Sequence, residues 1–258
     1  MNGYGKTDVG RKRLVNQDTF SAVSYDNDCF VAIVCDGMGG AAGGGIASAI
    51  AKDIFLTELE KMLDSYFAFP ESQGAPQVVL PRILRNAVSS CNSFTYDLAT
   101  RDPSLHGMGT TLVAALVYND VLYACNVGDS RLYGFTNNGA VRQITKDHSY
   151  VQALVDSGRI SADDAKNNAR KNIITRAIGI DQTVEPDVFV VDKEKNMRYF
   201  LLCSDGLSNL LEEKDLIQIV FQPHELLSLE KKVECLVELA NERGGNDNIT
   251  AYLLDLKG

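Results

Sequence analysis

Four short segments of the chain place an aspartate in a similar setting: Asn16-Gln17-Asp18, Asp36-Gly37-Met38-Gly39-Gly40, Ser204-Asp205-Gly206 and Asn246-Asp247-Asn248. Carboxylate oxygens are hard ligands suited to Mg²⁺ or Mn²⁺, and no cluster of His and Cys offers the softer set that zinc or iron prefers. A single Asp-Gly is ordinarily a turn. Two of these aspartates, however, end strongly apolar runs, and the four together point to a cation site. Arg13, in the basic run Arg11-Lys12-Arg13, carries a planar fork suited to gripping an oxyanion.

The elements that must position these residues follow from hydropathy. Phe30 to Cys35 is a continuous apolar run of strand length delivering Asp36 to a glycine-rich loop, Gly37 to Gly45. Ile46, Ala47, Ile50, Ala51, Ile54, Phe55 and Leu59 then fall on one helical face, and Ile83, Leu84, Ala87, Val88, Cys91, Phe94 and Leu98 mark a second helix after a break at 69–81. Strands are expected at 111–117, 122–127, 131–135 and 140–144 as an antiparallel meander turning at Asn119-Asp120 and Asn137-Asn138-Gly139. The polar, helix-prone stretch 150–172 reads as an insertion. Strands at 188–191, 199–203 and 249–254, with a helix around Leu229 to Ala240, complete an α+β arrangement of packed sheets with helices outside.

Composition narrows the class. The 258 residues carry 25 Lys and Arg against 34 Asp and Glu, a net charge of −9, which argues against nucleic-acid binding. No apolar run reaches the roughly 20 residues of a membrane helix, so the expectation is a cytoplasmic protein that does not engage membranes. The six cysteines form no C-x-x-C pair and read as reduced, buried thiols.

Eight strings in order are similar to the metal-dependent protein phosphatases of type 2C, in their bacterial form: Asp8-Val9-Gly10 with Arg13 and Asn16-Gln17-Asp18; Asp36-Gly37-Met38-Gly39-Gly40; Gly107-Met108-Gly109-Thr110-Thr111; Val127-Gly128-Asp129-Ser130-Arg131; Thr145-Lys146-Asp147-His148-Ser149; Ile174-Thr175-Arg176-Ala177-Ile178-Gly179; Ser204-Asp205-Gly206-Leu207; and Asp247-Asn248-Ile249-Thr250. The resemblance implies one catalytic domain over 1–258, a central antiparallel β-sandwich flanked by helix pairs (four-layer αββα), with 150–172 as a flap. It implies hydrolysis of protein phosphoserine and phosphothreonine by water activated between two Mn²⁺ or Mg²⁺ ions, without a covalent enzyme intermediate. It also implies phosphoprotein substrates, an opposing Ser/Thr kinase and a monomer.

Carried over by position, Asp36 resembles the carboxylate bridging both ions, the Gly37 carbonyl a ligand of the second, and Asp205 and Asp247 the remaining ligands of the first. Asp18 resembles a water-orienting group, Gln17 stands where some relatives have glutamate, and Arg13 resembles the phosphate grip. Met38 occupies a position where several relatives carry a histidine acid, and a thioether donates no proton. His106 precedes Gly-Met-Gly-Thr-Thr where an aspartate is expected, which leaves a third, weaker ion open, with Asp205 as its remaining ligand.

Three rival readings fit the residues less well. Gly37-Met38-Gly39-Gly40-Ala41-Ala42 satisfies a dinucleotide G-x-G-x-x-A pattern, but the acidic strand end expected about 20 residues later is missing. Ser130 with His148 lacks the G-x-S-x-G elbow of a serine hydrolase, and His148 and His224 read as structural or surface residues. A non-catalytic regulatory module of the same fold would be expected to lose ligands, and all four aspartates are present.

Overall fold

The computed structural model describes all residues except 26–27, 70–72, 167, 192–196, 224–225 and 257–258, together with the side chains of 41, 42 and 166. His224 therefore lies outside the described residues.

Eleven strands among the described residues build two sheets. One has the order β1 (Asn2–Asp8), β11 (Ile249–Asp255), β10 (Met197–Cys203), β7 (Arg131–Thr136) and β8 (Val141–Gln143). The other runs β2 (Asp18–Tyr25), β3 (Cys29–Met38), β5 (Leu112–Tyr118), β6 (Val121–Val127) and β9 (Asp187–Val191), with the short β4 (Gly109–Thr110) added to β3. Every pairing is antiparallel.

The two sheets bury apolar side chains on both faces. Ala32, Val34, Val113 and Ala124 meet Leu132, Phe200, Leu202 and Leu254 between the sheets. On the outer face of the second sheet, Val31, Ile33, Leu116 and Cys125 pack against Phe55, Leu59, Leu84 and Val88 of the helices α1 (Gly40–Ala68) and α2 (Pro76–Arg101). On the outer face of the first, Phe135, Leu201 and Leu253 pack against Leu216, Val220, Val233 and Leu236. Those residues belong to α6 (Glu213–Val220) and α7 (Leu229–Glu242). The expected αββα layering is thus observed, and double-sided burial explains why the central strands read as unbroken apolar runs rather than alternating ones.

Several local expectations change. The glycine-rich segment is not a loop throughout, because α1 already begins at Gly40. The reason is close backbone contact: a Cβ on Gly37 would sit 2.0 Å from the Gly44 carbonyl oxygen. Gly37→Ala must push the strand and the helix apart, and an overpacked backbone contact of this kind should lower stability by about 3 kcal/mol or more, read as the shift in the urea midpoint.

The four-strand meander is also interrupted. Asn119 and Asp120, both at positive φ, close the β5–β6 hairpin, but at Gly128 (φ 105) the chain leaves that sheet, and β7 and β8 pair in the other. The second helix starts five residues before Pro81 and takes it into its first turns. Strands β1 and β2 carry no strong local signal; β1 reads Asn2-Gly3-Tyr4-Gly5-Lys6-Thr7-Asp8, a glycine-rich edge strand without an apolar run. The insertion 150–172 holds two short helices, α3 (Tyr150–Asp156) and α4 (Ala162–Lys166), and α5 (Asp205–Ser208) follows β10 directly. All six cysteines are free thiols and five are buried.

Candidate active site

Antiparallel pairing brings strand ends distant in sequence to one end of the sandwich. Asp18 opens β2 directly opposite Asp36 in β3. From the other sheet, Asp205 opens α5 after β10, and Asp247 stands two residues before β11, the neighbour of β10. A fifth carboxylate, Asp129, lies in the crossing between β6 and β7. Asp36, Asp129, Asp205 and Asp247 all line one cavity of about 640 Å³, together with Arg13, Gln17, Gly37 and Met38.

Neighbouring groups fix several of these aspartates. The Asp36 backbone is fixed on both sides: its N–H donates to Thr111 Oγ1 at 3.0 Å, and its carbonyl accepts from Thr110 Oγ1 and the Thr111 N–H. Asp18, only 8% exposed, accepts through Oδ2 from Ser204 Oγ and Thr250 Oγ1, both at 2.7 Å. Asp205 accepts from Asn209 Nδ2 at 2.9 Å. Asn248 ties the loop carrying Arg13 to the Asp247 segment: it donates to the carbonyls of Val9 and Val15 and accepts the Gln17 N–H. The Arg13 guanidinium donates to Asp247 Oδ2 at 2.8 Å. Gln17 turns its amide to the Gly40 carbonyl at 2.9 Å.

Burial and crowding raise the acid constants. Burial pushes Asp18 up to about 6, against the two hydroxyl donors and with help from Asp205 and Asp247. Asp129 is pushed up to about 7 by burial and then by Asp205. Asp36 is held well above the usual carboxylate range by burial and by Asp18, Asp205, Asp129 and Asp247. Asp205 is raised by burial and Asp247, while a hydrogen bond with Asp36 pulls it back. Several acids sharing one buried site cannot all ionise without a counter-charge.

A divalent cation fits this arrangement. The donors are all oxygen, as hard ions require, and Asp18 Oδ1 is buried without a hydrogen-bond partner. Among the described residues no three such side chains stand closed around a single point, so the carboxylates form an open cluster. Removing a hydroxyl behind Asp18 tests the support: Ser204→Ala should weaken Mn²⁺ affinity by about 10-fold to 100-fold, as loss of a ligand-orienting partner does, measured by calorimetric titration.

This geometry narrows the choice of further ligands. His106 is exposed, at the end of the short 3₁₀ turn Pro103–Leu105, and does not line the cavity, whereas Asp129 does. In the sequence Asp129 stands out only as part of the string Val127 to Arg131. Its signal is its position just past the apolar strand 122–127, with only Gly128 between, a strand-end setting close to that of Asp36. Ser204, Thr250 and Asn248 carry no such local mark as supports, because pairing across more than 180 residues brings them behind Asp18 and the Arg13 loop.

The serine-hydrolase rival loses its geometry. Ser130 Oγ bonds to Thr111 Oγ1, while His148 is buried, accepts the Gly128 N–H at Nδ1 and faces Asp187 and Arg176 through Nε2. The dinucleotide rival fails because β3 lies in an antiparallel sheet. Met38 ends β3, opposite Gly109, on the cavity wall.

Comparison with known proteins agrees over the whole chain. Residues 7–242 match the family described as Protein phosphatase 2C. The chain is similar to "Serine/threonine phosphatase stp" of Listeria welshimeri serovar 6b, 37% identical over 255 residues and covering 99% of this chain and 96% of that one. "Protein phosphatase PhpP" of Streptococcus pneumoniae is 34% identical over 252 residues, covering 97% and 95%. Among solved structures, Serine/threonine phosphatase Stp1 from Staphylococcus aureus superposes with a TM-score of 0.86 at 32% identity, covering 99% of this chain and 95% of that one. Ordered motifs, layered fold and end-to-end similarity agree: the chain belongs to the protein phosphatase 2C family.

Proposed function

We propose that this phosphatase removes phosphate from phosphoserine and phosphothreonine in proteins, with two divalent cations held by Asp36, the Gly37 carbonyl, Asp205 and Asp247. The observation that carries the reading is the group of aspartates Asp36, Asp129, Asp205 and Asp247 that shares a cavity with Arg13, with Asp36, Asp129 and Asp205 raised by desolvation and by neighbouring carboxylates. Bound Mn²⁺ or Mg²⁺ would neutralise phosphoryl oxygens and acidify water, which removes any need for a covalent enzyme intermediate.

The chain's own residues do the rest. Arg13 is half exposed at the cavity wall and offers its fork to the phosphate oxygens. Asp18 is fixed through Oδ2, which leaves its buried Oδ1 to orient water. Asp129, next to Asp205 in the same cavity, is the better candidate than His106 for holding an additional cation. Met38 supplies no proton, so water serves the leaving oxygen. We extend the reading to a single catalytic domain over 1–258, a flap at 150–172, phosphoprotein substrates opposed by a Ser/Thr kinase, and a monomer acting in the cytoplasm. No helix among the described residues is long and apolar enough to cross a membrane.

The test is release of inorganic phosphate from a phosphothreonine peptide by the full chain. Release with Mn²⁺ that stops in chelator and returns with added Mn²⁺ supports the reading. Phosphopeptide binding without release under both conditions would instead favour the regulatory module of the same fold.

A further inference from the structure

The opening of the carboxylate cavity is lined by apolar side chains that neither the cation site nor the phosphate grip uses. Leu14 is 98% exposed and Val15 54% exposed, both directly after Arg13, and both line the cavity. On the facing segment, Ile174 lines the same cavity and Ile173 is 50% exposed. Isolated exposed leucines are common on protein surfaces. Leu14, Val15 and Ile174 together on one opening above the carboxylates are a patterned surface, with the exposed Ile173 beside them.

Neither lip is a free loop. On one side the Arg11 N–H donates to the Gly245 carbonyl at 2.7 Å, and Asn248 holds the Val15 carbonyl and the Gln17 N–H, so Leu14 is presented between anchored neighbours. On the other, the Ile173 carbonyl accepts the Tyr150 N–H at 2.8 Å, and Ile174 pairs with Ser149. A side chain held outward in water on an anchored backbone is prepared for a partner at little further entropic expense.

The geometry points to Leu14, with Val15, as a specificity determinant: it contacts an apolar side chain immediately beside the phosphorylated residue of an extended substrate segment. This deepens the proposed phosphatase reading and rests on it. The occupant follows from adjacency. Leu14 and Val15 follow Arg13 directly in the chain and line the same cavity, so a residue flanking the gripped phosphoresidue passes over them. Ile174 closes the other side, and three apolar side chains at the opening favour an apolar neighbour over a charged one.

The experiment compares kcat/KM for three phosphothreonine peptides that differ only beside the phosphoresidue: leucine before it, leucine after it, or glycine at both places. Wild type should favour one leucine peptide over the glycine peptide by about 10-fold, the discrimination a modest apolar contact supplies. Leu14→Ser should bring that ratio to about 2 or less, mostly through KM, and Leu14→Met should restore it. Because Leu14 is almost fully exposed, an unchanged thermal midpoint accompanies both variants. Equal kcat/KM for all three peptides in wild type, or an unaltered ratio in Leu14→Ser, overturns the inference and leaves the phosphatase reading standing. Failure of wild type to release phosphate from any of them, or from p-nitrophenyl phosphate, overturns both.

Discussion

Asp36→Asn is expected to abolish cation-dependent phosphate release while leaving the metal-free protein at least as stable as wild type. The two effects share one cause. Asp36 is partly desolvated and stands among four other carboxylates that raise its acid constant, so without a cation its charge opposes folding. Asparagine keeps the shape and removes the charge, and relief of such functional strain is commonly worth about 0.5–2 kcal/mol. Catalysis moves the other way. The cations' electrostatic contribution to the transition state is several kcal/mol, so losing the shared ligand should lower kcat/KM by about 10³-fold or more. Parallel measurement of phosphate release and of urea unfolding in chelator checks both halves. A variant that is inactive and also strongly destabilised without metal would show that Asp36 is a structural residue.

The second large effect is in pH. In chelator, the folded protein should lose stability as pH rises from about 4 to about 7. The sign follows from linkage: Asp18 and Asp129 ionise near 3.8 when unfolded but near about 6 and about 7 in the fold, and Asp36 and Asp205 are also raised. Their contribution is fully present below the unfolded value and is lost as pH climbs through the folded values, because the folded state must then ionise them against burial and one another. Two other sets of groups stand outside this signal. The carboxyls of Asp215 and Asp156 are depressed and titrate below the window. His148, lowered by burial and then by Arg176, works in the opposite sense and offsets part of the fall in chelator; it cancels only in the difference between the protein with and without cation.

Saturating Mn²⁺ should reverse the slope. At a free concentration 100 times the dissociation constant, binding adds about 2.7 kcal/mol, which for a chain of this size raises the thermal midpoint by about 5–10 °C. The increment should be larger at pH 8 than at pH 5, since protons compete for the same oxygens. Thermal unfolding at both pH values, with chelator and with Mn²⁺, provides the four midpoints. A cation increment that is the same at both would count against the carboxylate cluster as the binding site.

Much of this site is legible one residue at a time. Asp36 follows a run of apolar residues too long for a turn and too uniform for a surface strand, and Asp205 follows another, so strand ends carrying carboxylates can be read directly. The helical faces of α1, α2 and α7 are equally plain from 3.6-residue periodicity. Less can be read where the local signal is weak. β1 gains its structure from seven register partners on β11, not from its own glycine-rich composition. The start of α1 at Gly40 depends on the approach of Gly44 to Gly37, a contact between two elements that composition presents as a loop.

Residue type and order by themselves determined the chemistry available: oxygen ligands for a hard cation and a guanidinium for an oxyanion. The tertiary structure alone decided which of these groups share a site. It brought in Asp129 at a crossing between sheets, left His106 exposed at the end of its turn, and set Ser204 and Thr250 behind Asp18. The reason is physical. Ligand identity is a property of a side chain, whereas desolvation and mutual repulsion are properties of a distance, and antiparallel pairing of distant segments is what makes those distances short.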